Sequence, residues 1–220
     1  MAGHPEQSEG SHMKRAIKLR RKTKETNIVL TLNLDGSGKA KVRTGIGFLD
    51  HMLETLAKHG LFDLTLRAKG DLHIDKHHTN EDVGIALGEA FKKALGDKKG
   101  IRRFADFRAP LDEALTQARV SLDVSGRGSF HMHTGPKTRW IEHPALREKK
   151  GDKNYTLADA KHFWESFANH MGLTLHVDFI AGEQSHHIIE ATFKALAKAL
   201  DWAASIDERT KFVPSTKGKL

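Results

Sequence analysis

The chain has 220 residues and a formal charge of +8, from 36 Lys and Arg against 28 Asp and Glu, with 38% hydrophobic residues and a mean hydropathy of −0.51. This suits one folded domain or two small ones, and no window approaches the roughly 18 apolar residues of a membrane span. With no cysteine, disulfides, a thiolate nucleophile, iron–sulfur clusters and cysteine-ligated zinc are excluded, so any metal must be held by nitrogen and oxygen.

In chain order, residues 1–13 end in Gly10-Ser11-His12-Met13 and read as an expression tag, to be set aside. Its removal takes away Glu6 and Glu9 but no Lys or Arg, so the excess charge rises from +8 to +10. A balance of that sign suits nucleic acid, an acidic surface or a phosphorylated small molecule. The basic opening from Lys14 to Arg21 is followed by no apolar run, so no secretory signal is read. Leu30 to Leu34 alternates as a strand and ends in the turn Gly36-Ser37-Gly38. Phe48 to Gly60 is an amphipathic helix, Leu64-Thr65-Leu66 a strand, and His77-His78-Thr79-Asn80-Glu81 opens an Ala-rich helix. Arg102 and Arg103 follow, one of them expected to face solvent. Asp112-Glu113, after Pro110, reads as a helix N-terminus with a structural role. Val120 to Gly128 is again a strand and a Gly-x-Gly turn, here with Arg127 in the turn, where it could clamp a carboxylate or phosphate. His131 to Leu157 is rich in Gly, Pro and Lys and reads in part as an exposed connection. A helix over Asp159 to Met171, a strand at Leu173-Thr174-Leu175 and a helix opened by His186-His187-Ile188-Ile189-Glu190 follow. The tail Val213-Pro214-Ser215-Thr216-Lys217-Gly218 offers hydroxyls, a cation and a glycine suited to a phosphate.

Several of these blocks superpose. The first strand and turn lie over the second, His51 falls on His162, Glu54 on Glu165, His59 on His170, and the His-His-x-x-Glu runs coincide. The expected organisation is 14–105 as one half, 106–205 as its repeat and 206–220 as a tail. Each half is an α/β unit of strands, helix, strand, helix, with the histidines opening the last helix.

His-His-x-x-Glu recurring in both halves is the sharpest chemical signal. Residues three and four apart share a helix face, so one turn presents imidazole and carboxylate together, a donor set for a divalent transition metal. His51 and His162 add one aligned ligand to each set, and eight ligands in two sets suggest two metals. Adjacent side chains diverge by about 100°, so His77 and His78, like His186 and His187, should serve different metals, bridging two halves or two chains. Three classes compete: a dimetal enzyme on an anionic small molecule, a dimetal phosphoester hydrolase, and a basic nucleic-acid-binding module. The paired ligand sets and the scarcity of aromatics among the basic residues count against the last.

Thr44-Gly45-Ile46-Gly47-Phe48-Leu49-Asp50-His51-Met52-Leu53, Gly70 to Thr79, Glu81-Asp82-Val83-Gly84-Ile85, Pro110 to Leu115 and Pro214-Ser215-Thr216-Lys217-Gly218 together resemble the imidazoleglycerol-phosphate dehydratase family of histidine biosynthesis, from about Arg21 onward. Departures fall at Lys76, Asn80, Phe104-Ala105-Asp106 and Glu183-Gln184-Ser185. The resemblance implies an α+β two-layer sandwich of duplicated half-domains, each a mostly antiparallel four-stranded sheet with two helices on one face, like domain 2 of ribosomal protein S5. It implies a cytoplasmic homo-oligomer, a 24-mer of octahedral symmetry, with no nucleic-acid or membrane partner. It also implies metal-dependent dehydration of D-erythro-imidazole glycerol phosphate to imidazole acetol phosphate, with two Mn²⁺ per active site. One Mn²⁺ would take His51, His78, His186 and Glu190, the other His77, Glu81, His162 and His187. Substrate contacts carry over to Glu25, His51, His59, Arg103, Arg127, Ser215, Thr216 and Lys217, with Glu25 as the general base.

Overall fold

The computed structural model describes residues 15–122, 128–141 and 155–217. The first half holds strands β1 (Ala16–Lys22), β2 (Thr26–Asn33) and β3 (Ala40–Arg43), helix α1 (Gly47–Gly60), strand β4 (Asp63–Gly70) and helix α2 (His77–Ala94). The second holds β5 (Phe104–Leu111), β6 (Ala114–Leu122), β7 (Ser129–Ile141), α3 (Leu157–Met171), β8 (Leu173–Gln184) and α4 (Ser185–Ala204). Strand order is β1-β2-β4-β3 in one sheet and β5-β6-β8-β7 in the other. In both, the first two pairings are antiparallel and the last parallel. The duplication read from three sequence blocks is therefore a duplication of topology, and the fold is two mixed α/β halves.

Each sheet buries one face. Ile28, Leu30 and Leu32 of β2, and Ala118, Val120 and Leu122 of β6, point inward at every second position. On α1, Leu49, Met52, Leu53 and Leu56 form the buried stripe. α3 begins with a capping box in which Thr156 and Asp159 satisfy each other's free backbone N–H groups. The helices also pack across the halves, α1 on α4 and α2 on α3, so the core is continuous between the sheets. α2 approaches α3 through Gly84 and Gly88, where an added Cβ would stand 2.9 Å from the Phe163 carbonyl oxygen and 2.5 Å from that of Phe167. This close crossing brings the start of α2 against the start of α3.

One sequence expectation is corrected. Asp112-Glu113 is the turn of the β5–β6 hairpin, with Asp112 at φ 48°, and no helix begins there; Pro110 sits at an exposed strand position, where its missing N–H costs nothing. Of the 131–157 stretch, read in part as an exposed connection, 142–154 lie outside the described residues, and His131 to Ile141 form most of strand β7. Its parallel pairing with β8 supplies the order that its mixed composition conceals.

The excess positive charge is concentrated on the outer face of the first sheet. Lys18, Arg20 and Lys22 of β1, Arg67 and Lys69 of β4, and Lys41 and Arg43 of β3 are exposed there, in register across the sheet.

Candidate active site

Two clusters of ligand-type residues form where helices of opposite halves meet. In the first, α4 presents His186 and Glu190 four residues apart and α1 presents His51. The Glu190 Oε2 atom lies 3.4 Å from His51 Nε2 and 3.3 Å from His186 Nε2, and one ligand atom from each residue falls within 4.8 Å of the others. Lys194 Nζ, 2.8 Å from Glu190 Oε1, occupies the other carboxylate oxygen and leaves Oε2 facing the histidines. Burial lowers the His186 pKa, which favours the neutral, metal-competent imidazole. Burial pushes the Glu190 carboxyl up, but the Lys194 hydrogen bond and charge and the nearby His51 outweigh it and keep it ionised. Phe48 backs this cluster, its ring edge-on to His186 at 5.0 Å.

The second cluster repeats the first with the halves exchanged. α2 presents His77 and Glu81, 3.8 Å apart, and α3 presents His162, whose ring centroid is 5.4 Å from that of His77. It is the looser of the two. A buried network fixes its helices: the Tyr155 hydroxyl donates to Asn80 Oδ1 at 2.8 Å, Asn80 Nδ2 donates to the Asp159 carbonyl at 2.8 Å, and the buried Lys76 ammonium lies 3.4 Å from the Asp159 carboxylate. Lys76 and Asn80, departures from the family pattern in sequence, thus lock the first turn of α2 to that of α3. An ion pair this enclosed costs about 3–5 kcal/mol when one partner is removed.

His78 and His187 join neither triad. The His78 ring is turned from that of His77, with centroids 5.9 Å apart and planes at 67°; for His186 and His187 the values are 5.8 Å and 82°. Each is met instead by carboxylates. His78 Nδ1 lies 2.9 Å from Asp71 Oδ2, and its Nε2 lies 3.9 Å from Glu25 Oε1 in the β1–β2 hairpin. His187 Nδ1 lies 2.7 Å from Glu113 Oε2, and its Nε2 lies 3.8 Å from Asp112 Oδ2 in the β5–β6 hairpin. The two hairpins are repeats of one another, so Glu25 and the Asp112-Glu113 pair occupy related places. The Asp71 hydrogen bond raises the His78 pKa, against burial and with help from Glu25. Burial pushes the Glu113 carboxyl up, but hydrogen bonds from His187 and from the backbone N–H groups of Gln184 and Glu183 hold it down to about 2. Asp71 and Glu113 went unread in the sequence as partners of histidine. The signal for Glu113 was its place in the repeat of the Glu25 hairpin; Asp71 has no repeat counterpart to mark it.

The β1–β2 hairpin is itself anchored to α2. Arg21 donates to Asp82 Oδ1 from Nη2 at 2.6 Å and from Nε at 3.2 Å, and the buried Thr26 hydroxyl donates to Asp82 Oδ2. This places the exposed Glu25 carboxylate beside the start of α2.

The remaining sequence-predicted residues lie elsewhere. His59, in the last turn of α1, has its pKa lowered by burial and by Lys194 and Lys198 of α4. Arg103, at φ 73°, donates from Nη1 to the Pro214 carbonyl at 2.8 Å and so joins the tail carrying Ser215, Thr216 and Lys217. The tail is tied down again by the Gly100 N–H to Phe212 carbonyl bond at 3.0 Å. Arg102 does not face open solvent as one of the pair was expected to: it stacks on Trp202 at 4.3 Å and pairs with Asp207 at 3.6 Å. Both arginines are half-buried. Arg127 lies outside the described residues.

Similarity to known proteins follows the same residues. The imidazoleglycerol-phosphate dehydratase family profile matches residues 44–200. The chain belongs to this family. It is 53% identical over 206 residues to the imidazoleglycerol-phosphate dehydratase of Thermoanaerobacter sp. (strain X514), covering 94% of this chain and 100% of that one, and 47% identical over 207 residues to that of Methylorubrum extorquens, with the same coverages. Among solved structures it resembles the Pyrococcus furiosus enzyme, with TM-score 0.73, 32% identity and coverage of 92% of this chain and 100% of that one. It also resembles the Staphylococcus aureus enzyme, with TM-score 0.70, 27% identity and coverages of 87% and 99%. The family is one of hydro-lyases, and the chain is an enzyme of that class serving the dehydration step of histidine biosynthesis.

Proposed function

We propose that this enzyme dehydrates D-erythro-imidazole glycerol phosphate to imidazole acetol phosphate, with two Mn²⁺ ions per active site. The observation that carries the metal reading is the convergence of His51, His186 and Glu190, with ligand atoms within 4.8 Å of one another. Imidazole and carboxylate without thiolate is a donor set that Mn²⁺ accepts. The mirrored group of His77, Glu81 and His162 would hold the second ion. Each triad lacks one nitrogen, and His78 and His187 stand outside them, held by Asp71 and Glu113 at their Nδ1 atoms. In this reading their Nε2 atoms, which lie 3.9 Å from Glu25 and 3.8 Å from Asp112, would serve as the fourth ligands to triads of neighbouring copies.

A second distance supports a shared site. Arg103 is bonded to the Ala203 carbonyl at the C-terminal end of α4, whereas His186 is in its first turn. At 1.5 Å per residue these are about 25 Å apart, too far for one small substrate. In this reading Arg103, Ser215, Thr216 and Lys217 of one copy, with Arg127, bind the phosphate of a substrate whose ring meets the metals of another. A homo-oligomer is then required, and the 24-mer implied by the resemblance supplies closed symmetry for it.

Bound metal would hold and polarise the substrate's imidazole ring. Glu25, on a hairpin braced by the Arg21–Asp82 pair, takes the C2 proton as general base. Water leaves from C3, and the enol so formed relaxes to the ketone. The basic tail and arginines orient the substrate through its phosphate, and His59 lines the approach. The cytoplasm is the expected compartment.

The test is dehydratase turnover on imidazoleglycerol phosphate after stripping with chelator and reloading with Mn²⁺. Activity that vanishes and returns is expected. Turnover indifferent to chelation, or none in folded and metal-loaded protein, would refute the reading.

A further inference from the structure

The outer face of the second sheet carries three histidines that the dehydratase site does not use. His131 and His133 are two apart in β7 and therefore share a face. Register places His131 opposite His176, and His133 opposite Asp178, in the parallel neighbour β8. Three imidazoles and one carboxylate thus form a two-by-two grid on the solvent side of the sheet, while Leu175, Val177 and Phe179 of β8 point into the core. The His131 and His176 rings are stacked with centroids 4.4 Å apart. His133 and His176 are stacked at 5.4 Å, with His133 Nε2 3.1 Å from His176 Nδ1.

His133 Nε2 and His176 Nδ1, 3.1 Å apart, share one N–H as a hydrogen bond; if that proton is lost and the two rings turn, both nitrogens can reach one ion at about 2.05 Å, with an angle of about 100° at it, near the tetrahedral value. His131 is exposed and its ring lies against that of His176 at 4.4 Å, so the proposed site asks of it a change of side-chain rotamer and no movement of the backbone. Register places Arg119 of β6 directly opposite His176 and Asp106 of β5 opposite Arg119; Arg119 pairs with Asp178, so its charge beside the histidines is balanced by two carboxylates. Eight residues of β8, about 26 Å of strand, separate His176 from Gln184 at the start of α4, so the grid is distinct from the helix-borne clusters.

We propose that His131, His133 and His176 form an additional metal site, taking one late first-row divalent ion such as Zn²⁺ through three imidazole nitrogens, with Asp178 or water in the fourth position. Nitrogen-only sites favour Zn²⁺ over Mn²⁺, so this site differs in metal from the one proposed for catalysis. A bound ion ties the edge strand β7 to β8.

The test is calorimetric titration of Zn²⁺ into the full chain, first saturated with Mn²⁺, against the His131→Gln/His133→Gln variant and the milder single His133→Gln. All forms carry His4 and His12, which cancel in the comparison. Native protein should take up one more equivalent of Zn²⁺ per chain than the double variant. The single variant should bind that equivalent at least tenfold more weakly, with the circular dichroism spectrum and dehydratase turnover of both variants unchanged. Equal Zn²⁺ stoichiometry and affinity in native and folded variant protein would overturn the site.

Discussion

Gly88→Ala should destabilise the protein even though alanine is the better helix former. Within an exposed helix the exchange gains about 1 kcal/mol. In α2, however, the new Cβ would lie 2.5 Å from the Phe167 carbonyl oxygen, 2.9 Å from the Met171 nitrogen and 3.2 Å from the His170 Cβ. The two closest are backbone atoms of α3 and cannot rotate away. Ordinary carbon–oxygen contact needs about 3.3 Å, so the helices must separate by about 0.8 Å or bear the clash. Overpacking of this kind costs about 1–3 kcal/mol, and two rigid contacts put it at the upper end, leaving a net loss of about 2 kcal/mol. The Phe91–Phe167 edge contact at 5.5 Å and the His77–His162 pair span the same interface, so the second ligand cluster should loosen as well. The assay is urea unfolding at one protein concentration, since assembly makes the midpoint concentration-dependent. Gly47→Ala is the control, because nothing lies within 4 Å of its added Cβ; it should be neutral or slightly stabilising. A Gly88→Ala midpoint at or above that of the parent would refute the close-packing account of the crossing.

Glu25→Gln should retain bound metal while turnover falls by about 10²–10⁴-fold, the usual contribution of a general base; near-normal turnover would remove Glu25 from that role. Glu113→Gln weakens the acceptor on His187 Nδ1, and loss of such an outer partner should reduce metal affinity by about 10–100-fold, measured by competition with a chelating dye; unchanged affinity would make Glu113 only a brace for the start of α4. Asp63 accepts hydrogen bonds from the backbone N–H groups of Ser37 at 2.8 Å and Lys39 at 3.0 Å, which lower its pKa. Its contribution is therefore present above the unfolded-state value of about 3.9 and is lost as pH falls through the lower folded value. Asp63→Asn should cost about 1 kcal/mol at pH 7, and that difference should shrink in acid. A difference independent of pH would show that charge is not involved.

The duplication and its chemistry were written locally, and so were legible without a structure. Period-two alternation around Leu30 and Val120 and helical stripes around His51 and His162 depend only on neighbouring residues. His-His-x-x-Glu places its three side chains by helix geometry alone, and the divergence of adjacent histidines follows from the same 100° step. Where local signals conflicted, the reading failed. Pro110-Leu111-Asp112-Glu113 carries a proline and acids suited to a helix start, yet pairing of β5 with β6 makes it a hairpin. The mixed composition after His131 hid a strand whose order comes from a partner over forty residues away. Three further features belong to the tertiary structure: which helix of one half meets which of the other, that Lys76 and Asn80 are buried in a network with Tyr155 and Asp159, and that Asp71 and Glu113 hold His78 and His187. Each depends on contacts between residues far apart in the chain or on separate elements. Local pattern determines which side chains an element can present, but only packing decides which elements meet and so which donors converge.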